Sequence, residues 1–110
     1  MQINFEDKSG ISVFTVSGDI DINSSPDMKK GFEKVFKDKK DKVVIDLKNV
    51  GYVDSSGLAT IVEIFKNMRS YGGKLKLAGL SDKVIGLFEI TKLDKLFDIS
   101  GNVEDAVSSF

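Results

Sequence analysis

Asp54, Ser55, Ser56 and Gly57 stand together in the stretch YVDSSGLAT, Tyr52–Thr60. A carboxylate, two hydroxyls and a glycine in this order admit three kinds of chemistry. Asp54 or Ser55 can cap a helix by accepting a hydrogen bond from a free N–H of its first turn. A serine can be a catalytic nucleophile if a base lies beside it. A serine at an exposed helix start can also accept a phosphoryl group, because anions are favoured where the helix dipole is positive.

The nucleophile has little support. Gly-x-Ser-x-Gly is absent, since Val53 stands two residues before Ser55. The chain has no histidine to act as base and no cysteine, which removes the usual catalytic triads and the common zinc sites. A P-loop fails too: five residues separate Gly51 from Gly57, and no Gly-Lys-Ser/Thr follows. A carboxylate magnesium site, a carboxylate acid/base pair and a phosphate acceptor remain open. Phosphorylation would add about −1.5 to −2 charge. The fold would survive this, but a docked partner would be repelled. Asp54 would add to the repulsion, as would Asp21 if the two loops are neighbours.

The elements that must position these residues are legible from periodicity. Gln2–Asp7 and Ile11–Ser17, around a turn at Lys8-Ser9-Gly10, read as a β-hairpin. Ser25 followed by Pro26 reads as an N-cap with proline in the first turn. Met28, Phe32, Val35 and Phe36 then predict an amphipathic helix over Pro26–Lys37, with a lysine-rich outer face. The apolar run in Lys42–Leu47 suits a central strand covered on both faces. Leu58, Ile61, Val62, Phe65 and Met68 predict a helix over about Ser55–Tyr71, stopped by Gly72-Gly73. Lys74–Ala78 reads as a strand. Ser81 should cap a helix that turns Val84, Leu87 and Phe88 inward. Leu96–Ile99 reads as a short edge strand, and Asn102–Phe110 as a last helix.

This order implies one α/β domain, residues 1–110: an open mixed sheet of four to five strands flanked by about four helices. Sites in such sheets lie beyond the carboxyl ends of strands. Gly18–Ser25 and Val53–Gly57 qualify. Val44, Ile45, Leu58, Val62 and Phe65 are expected between the sheet and the helix that follows Asp54.

Composition bounds the rest. The 110 residues fit one domain, and the 41% apolar and 30% charged residues are ordinary for a globular chain. The net charge of −1 argues against a nucleic-acid partner. No apolar run approaches the roughly 20 residues of a membrane span, and the polar N-terminus is no secretory signal. No membrane partner is expected, and the lack of cysteine is compatible with the cytoplasm.

Four segments carry a resemblance. VVIDLKNVGYVDSSGLATIVEIFK is similar to the core motif of the STAS family of anti-sigma factor antagonists: a strand ending in Asp, then Asp-Ser-Ser-Gly-Leu opening a helix. VSGDIDINSSPDMKK resembles that family's Gly-Glu-Leu-Asp turn, with Asp19 and Ile20 where Glu and Leu are frequent. GGKLKLAGLSDKVIGLFEITKLDKLFDI resembles its third segment, and Glu104-Asp105-Ala106 its final helix. The resemblance covers essentially the whole chain. It implies a kinase substrate and not an enzyme, with no cofactor of its own. The unmodified form would bind an anti-sigma factor, often itself a serine kinase, and so free the sigma factor. Phosphorylation at Ser55 would end that binding, and a PP2C-type phosphatase would restore it. Carried over by position, Asp21, Asp54, Ser56 and Gly57 surround the acceptor, and Ser24, Ser25 and Leu58 fall on the partner side. The polar Asn23-Ser24-Ser25 departs from the usual pattern there.

Two other readings compete. A STAS module of a stress or transport complex would keep the fold without the phosphate switch. A receiver domain would use Asp19, Asp21 and Asp54 as an acid cluster around magnesium. The receiver reading lacks a Lys-Pro pair near the last strand, since Pro26 is the only proline, and the initial hairpin breaks its β-α-β alternation.

Overall fold

The computed structural model describes residues 1–110. Strands β1 (Gln2–Lys8), β2 (Ile11–Ser17), β3 (Lys42–Asn49), β4 (Lys74–Ala78) and β5 (Asp98–Ser100) form a single sheet in the order β1-β2-β3-β4-β5. β1 and β2 are antiparallel, and every later neighbour is parallel. Ser9 and Gly10, with φ of 55° and 84°, make the tight turn between the first two. Positive φ at both central residues matches the right-handed twist of paired strands.

Helices supply the crossovers. α1 (Ser25–Gly31) and α2 (Glu33–Lys37) join β2 to β3, and α3 (Ser55–Arg69) joins β3 to β4. α4 (Asp82–Ile90) and a 3₁₀ turn at Leu93–Lys95 lead to β5, and α5 (Val103–Ser108) follows it. The sheet is the expected mixed one with five strands. Ser81 caps α4 as expected, accepting from the Val84 N–H at 3.3 Å. Gly72, at φ 84°, ends the α3 segment.

The first helix differs from its expected form in two ways. It is broken between Gly31 and Glu33. Glycine is a weak helix former, and here Ile3 of β1 occupies the space that a Cβ on residue 31 would need. At the break Phe32 is wholly buried, its ring tilted by 36° against that of Phe14 with centroids 4.5 Å apart. The cap is also one residue earlier: Ser24 holds the N-cap position, and Ser25 is the first helical residue.

The core is divided by the sheet. Phe14 and Val16 of β2, Val43, Ile45 and Leu47 of β3, and Leu75 and Leu77 of β4 face α1–α4 in a cluster of 20 buried residues. Ile11, Val13, Val44 and Ala78 face the other way, against Ala106 of α5. Val44 therefore does not pack against α3. Successive strand residues point to opposite faces, so it cannot share a side with Ile45. Along α3, Leu58, Ile61, Ile64 and Met68 are buried, while Val62 and Phe65 lie on the flank and are only partly covered. Phe65 rests edge-on against Phe97 at 5.1 Å. No helix is long and apolar enough to cross a membrane.

Candidate functional site

The loop after β2 and the loop after β3 lie side by side beyond the carboxyl end of the sheet. They are joined by backbone first. The Ile20 N–H donates to the Tyr52 carbonyl at 3.0 Å, and the Asp54 N–H donates to the Ile20 carbonyl at 3.1 Å, so Ile20 and Val53 form an isolated parallel bridge. Both residues are buried and anchor the loops in the core.

Asp54 then adds two side-chain bonds. It is the N-cap of α3, and its Oδ1 accepts from the Gly57 N–H at 2.8 Å. Its Oδ2 accepts from the Ile22 N–H in the neighbouring loop at 3.1 Å. Gly57 is buried beneath this junction, where a Cβ would overlap the Ile20 carbonyl oxygen. A residue without a side chain is needed for so close a backbone approach.

Ser55 is the first residue of α3 and is exposed. Ser56 is half-buried, and its carbonyl accepts from the Thr60 hydroxyl at 3.0 Å. What ties down the helix start is thus Asp54. Asp21 is engaged inside its own loop: its Oδ1 accepts from the Asn23 and Ser24 N–H groups at 2.9 and 3.0 Å. The Ser24 hydroxyl accepts from the Asp21 N–H and donates to the Asp19 carbonyl, and the Ser25 hydroxyl donates to the Asp21 carbonyl. Ser25 and Leu58 are both 7% exposed. They underlie the surface more than they form it.

Three shallow clefts lie along the two loops and the start of α3, and Ser55 lines one of them. One of about 550 Å³ is lined by Ser55, Leu58, Ala59, Val62, Thr91 and Leu93 among others. A second, of about 310 Å³, runs between Ile22 and Pro26 on one side and Ser56, Ala59 and Thr60 on the other. A third, of about 290 Å³, lies between Tyr52 and the Leu87 and Ile90 side of α4. Large apolar side chains stand exposed around them: Ile22 at 68%, Tyr52 at 44% and Ile90 at 82%. Lys83 sits over the Tyr52 ring at 5.4 Å. Sequence reasoning missed these three apolar residues. Ile22 and Tyr52 lie in loops where no periodicity applies, but Ile90 falls outside the Val84, Leu87 and Phe88 stripe and was legible as an outward residue. No group of three or more acidic side chains is placed to hold a metal ion. The arrangement offers an exposed serine at a helix N-terminus, beside a cleft in which Leu58, Ala59, Val62 and Leu93 alternate with Glu63, Lys66 and Asn67.

Comparison with known proteins agrees with this layout. The family model of the STAS domain matches residues 2–106. The chain is 41% identical over 105 residues to the anti-sigma-B factor antagonist of Listeria monocytogenes, which covers 94% of this chain and 90% of that one. It is similar to the structure of an anti-sigma factor antagonist from Mycobacterium paratuberculosis, with a TM-score of 0.89 at 27% identity over 98% and 92% of the two chains. It shares the fold of the Bacillus cell fate determinant SpoIIAA in its phosphorylated form, with a TM-score of 0.75 at 14% identity over 98% of each chain. A match that runs from β1 into α5, and that holds in both sequence and strand order, leads to one conclusion: the chain belongs to the STAS domain family.

Proposed function

We propose that this chain is an anti-sigma factor antagonist whose binding is switched off by phosphorylation at Ser55. The observation that carries the reading is the exposed Ser55 at the first position of α3, opening onto a cleft lined by Leu58, Ala59, Val62 and Leu93. Relatives named anti-sigma-B factor antagonists support it. The unmodified surface is mostly apolar around Ser55 and suits burial against an anti-sigma factor, which would release its sigma factor in exchange. Ser24 holds the β2–α1 loop, and Ser25 and Leu58 support the rim from beneath. The setting is cytoplasmic, where ATP and sigma factors meet.

The chain is the substrate here and not the enzyme. A serine kinase, which is the anti-sigma factor itself on this reading, moves the γ-phosphoryl group of ATP to Ser55. The Oγ–P bond forms, the bond to the departing ADP oxygen breaks, and the hydroxyl proton leaves. The new dianion sits at the positive end of α3, which favours it by typically 0.3–1 kcal/mol. The fold therefore stays intact. Affinity falls because an unpaired charge now has to be buried at the interface, which is expensive. A PP2C-type phosphatase hydrolyses the ester and restores binding.

The test uses the cognate anti-sigma kinase with ATP. Phosphopeptide mapping should place a single label on Ser55. Ser55→Asp should bind the anti-sigma factor about a hundredfold more weakly, a change of about 2.7 kcal/mol. Ser55→Ala should bind as the wild type does and resist switching. Amide NMR shifts on phosphorylation should be confined to Gly18–Ser25 and Val53–Leu58. A label on Ser56, Ser24 or Ser25 would reject the assignment, and unlabelled chain bound in an unswitched complex would favour a plain interaction module.

A further inference from the structure

We propose that Asp54 is a positioning residue for the Ser55 surface, acting as a strut that holds the loop between β2 and α1 in fixed register with the start of α3. The inference rests on the reading that a partner docks around Ser55, and it adds a residue that sets how well that partner is recognised.

The argument starts from the two carboxylate oxygens. A capping residue needs only one acceptor, and serine, threonine or asparagine serves about as well as aspartate. Asp54 uses Oδ1 for the cap, on Gly57 at 2.8 Å, and Oδ2 for a second task, on Ile22 at 3.1 Å. The second bond spans 32 residues of sequence. Ile22 is the most exposed apolar side chain of its loop. Its backbone N–H is thus fixed by the residue that precedes the acceptor serine.

The rest of the loop cannot do this alone. Asp21, Ser24 and Ser25 bond to each other and to Asp19, so they shape the loop internally without tying its tip to α3. The Ile20 bridge to Tyr52 and Asp54 fixes the base of the loop. Between that base and the start of α1, the Asp54 carboxylate is the hydrogen bond that reaches across to the tip. Holding recognition groups in their bound geometry beforehand lowers the ordering cost of association. A partner then meets Ile22 and Ser55 as one surface and need not assemble it.

Serine and asparagine separate the cap from the strut. Asp54→Ser keeps an acceptor for the Gly57 N–H and has nothing to offer Ile22. Asp54→Asn keeps the cap and the shape, and turns an amide toward the Ile22 N–H. Amide hydrogen exchange should show the Ile22 N–H losing at least tenfold protection in both variants, with the Gly57 N–H retained. In steady-state phosphorylation of the full chain by its anti-sigma kinase, KM should rise about tenfold while kcat stays within twofold. A residue that only caps α3 would leave KM at the wild-type value, because serine caps as well. Ile22 protection unchanged in the two variants would overturn the strut. Lost protection with an unchanged KM would overturn its role in recognition. A wild-type chain that is neither bound nor labelled would overturn the Ser55 reading itself, while exchange at Ile22 would still support or reject the strut. Asp54→Asn preserves the side-chain volume, so it carries the comparison if Asp54→Ser folds poorly.

Discussion

On one face of the sheet α1–α4 cover a cluster of 20 buried apolar residues; on the other, α5 alone covers a cluster of five. The less covered face also holds charge. Asp46 is 3% exposed there, its Oδ1 accepting from the Lys48 N–H at 3.1 Å and its Oδ2 lying 3.6 Å from the Lys48 ammonium. Lys76 is buried there too, with its ammonium against Ser109, 3.4 Å from Asp98 and over the Phe110 ring. Buried charges need partners, and a face covered by one short helix leaves room for them. The contrast locates the stability of the domain. Ser55 is carried by α3, which lies on the heavily packed face. A change of charge at its first residue acts on a rigid support.

The largest expected effect tests that packing. Phe32→Ala removes a wholly buried ring from the main core, and denaturant titration should show a loss of about 3–5 kcal/mol. Val44→Ala on the thinner face should cost less, about 2 kcal/mol from two lost methyls and the small cavity left behind. Equal losses from the two variants would break the contrast between the faces.

The smallest effect sharpens it at the lower edge of the packed face. The Tyr71 hydroxyl donates to the Lys40 carbonyl at 2.8 Å and closes the core at the end far from Ser55. Burial raises its pKa above the ordinary phenol value, and the Asp41 carboxylate adds to the shift. The folded chain therefore holds this proton more tightly than the unfolded chain does. The resulting stability is complete below about pH 10 and is lost as pH rises from there through the folded value. Tyr71→Phe should cost about 1 kcal/mol at neutral pH. Above about pH 10 its stability should fall less steeply than that of the wild type. Parallel curves would mean that the phenol titrates as freely folded as unfolded.

Much of this was legible in the sequence, and the misses have physical causes. Strands and helices with clear periods were found within a residue or two, and the Ser81 cap was read correctly because cap and apolar stripe agreed. Phe65 is less covered than its helical spacing implied. A stripe wider than the core needs has edges, and only packing tells which residue is an edge. The placement of Val44 fails for another reason. In VVIDL nearly every residue is apolar, so composition hides the alternation that geometry still imposes. The close approach of Ile3 to Gly31 at the break joins the helix to the far edge of the sheet, which no local pattern contains. At the site, the exposure of Ser55 followed from its place at a helix start. The second bond of Asp54 did not, because it joins residues that only the fold makes neighbours.

The strand order also bears on how the chain is made. Spatial order equals order of synthesis, β1 through β5. Each strand can therefore pair with one that has already left the ribosome, and none must be inserted between two others. Pairings of short sequence separation close quickly, and segments made first can fold first. β1, β2 and β3 can form before α4 exists. The last element to emerge, α5, finds a finished sheet face on which to settle. The domain can grow from its hairpin outward, with Gly18–Ser25 and Val53–Gly57 brought together before α4 and its Ile90 emerge.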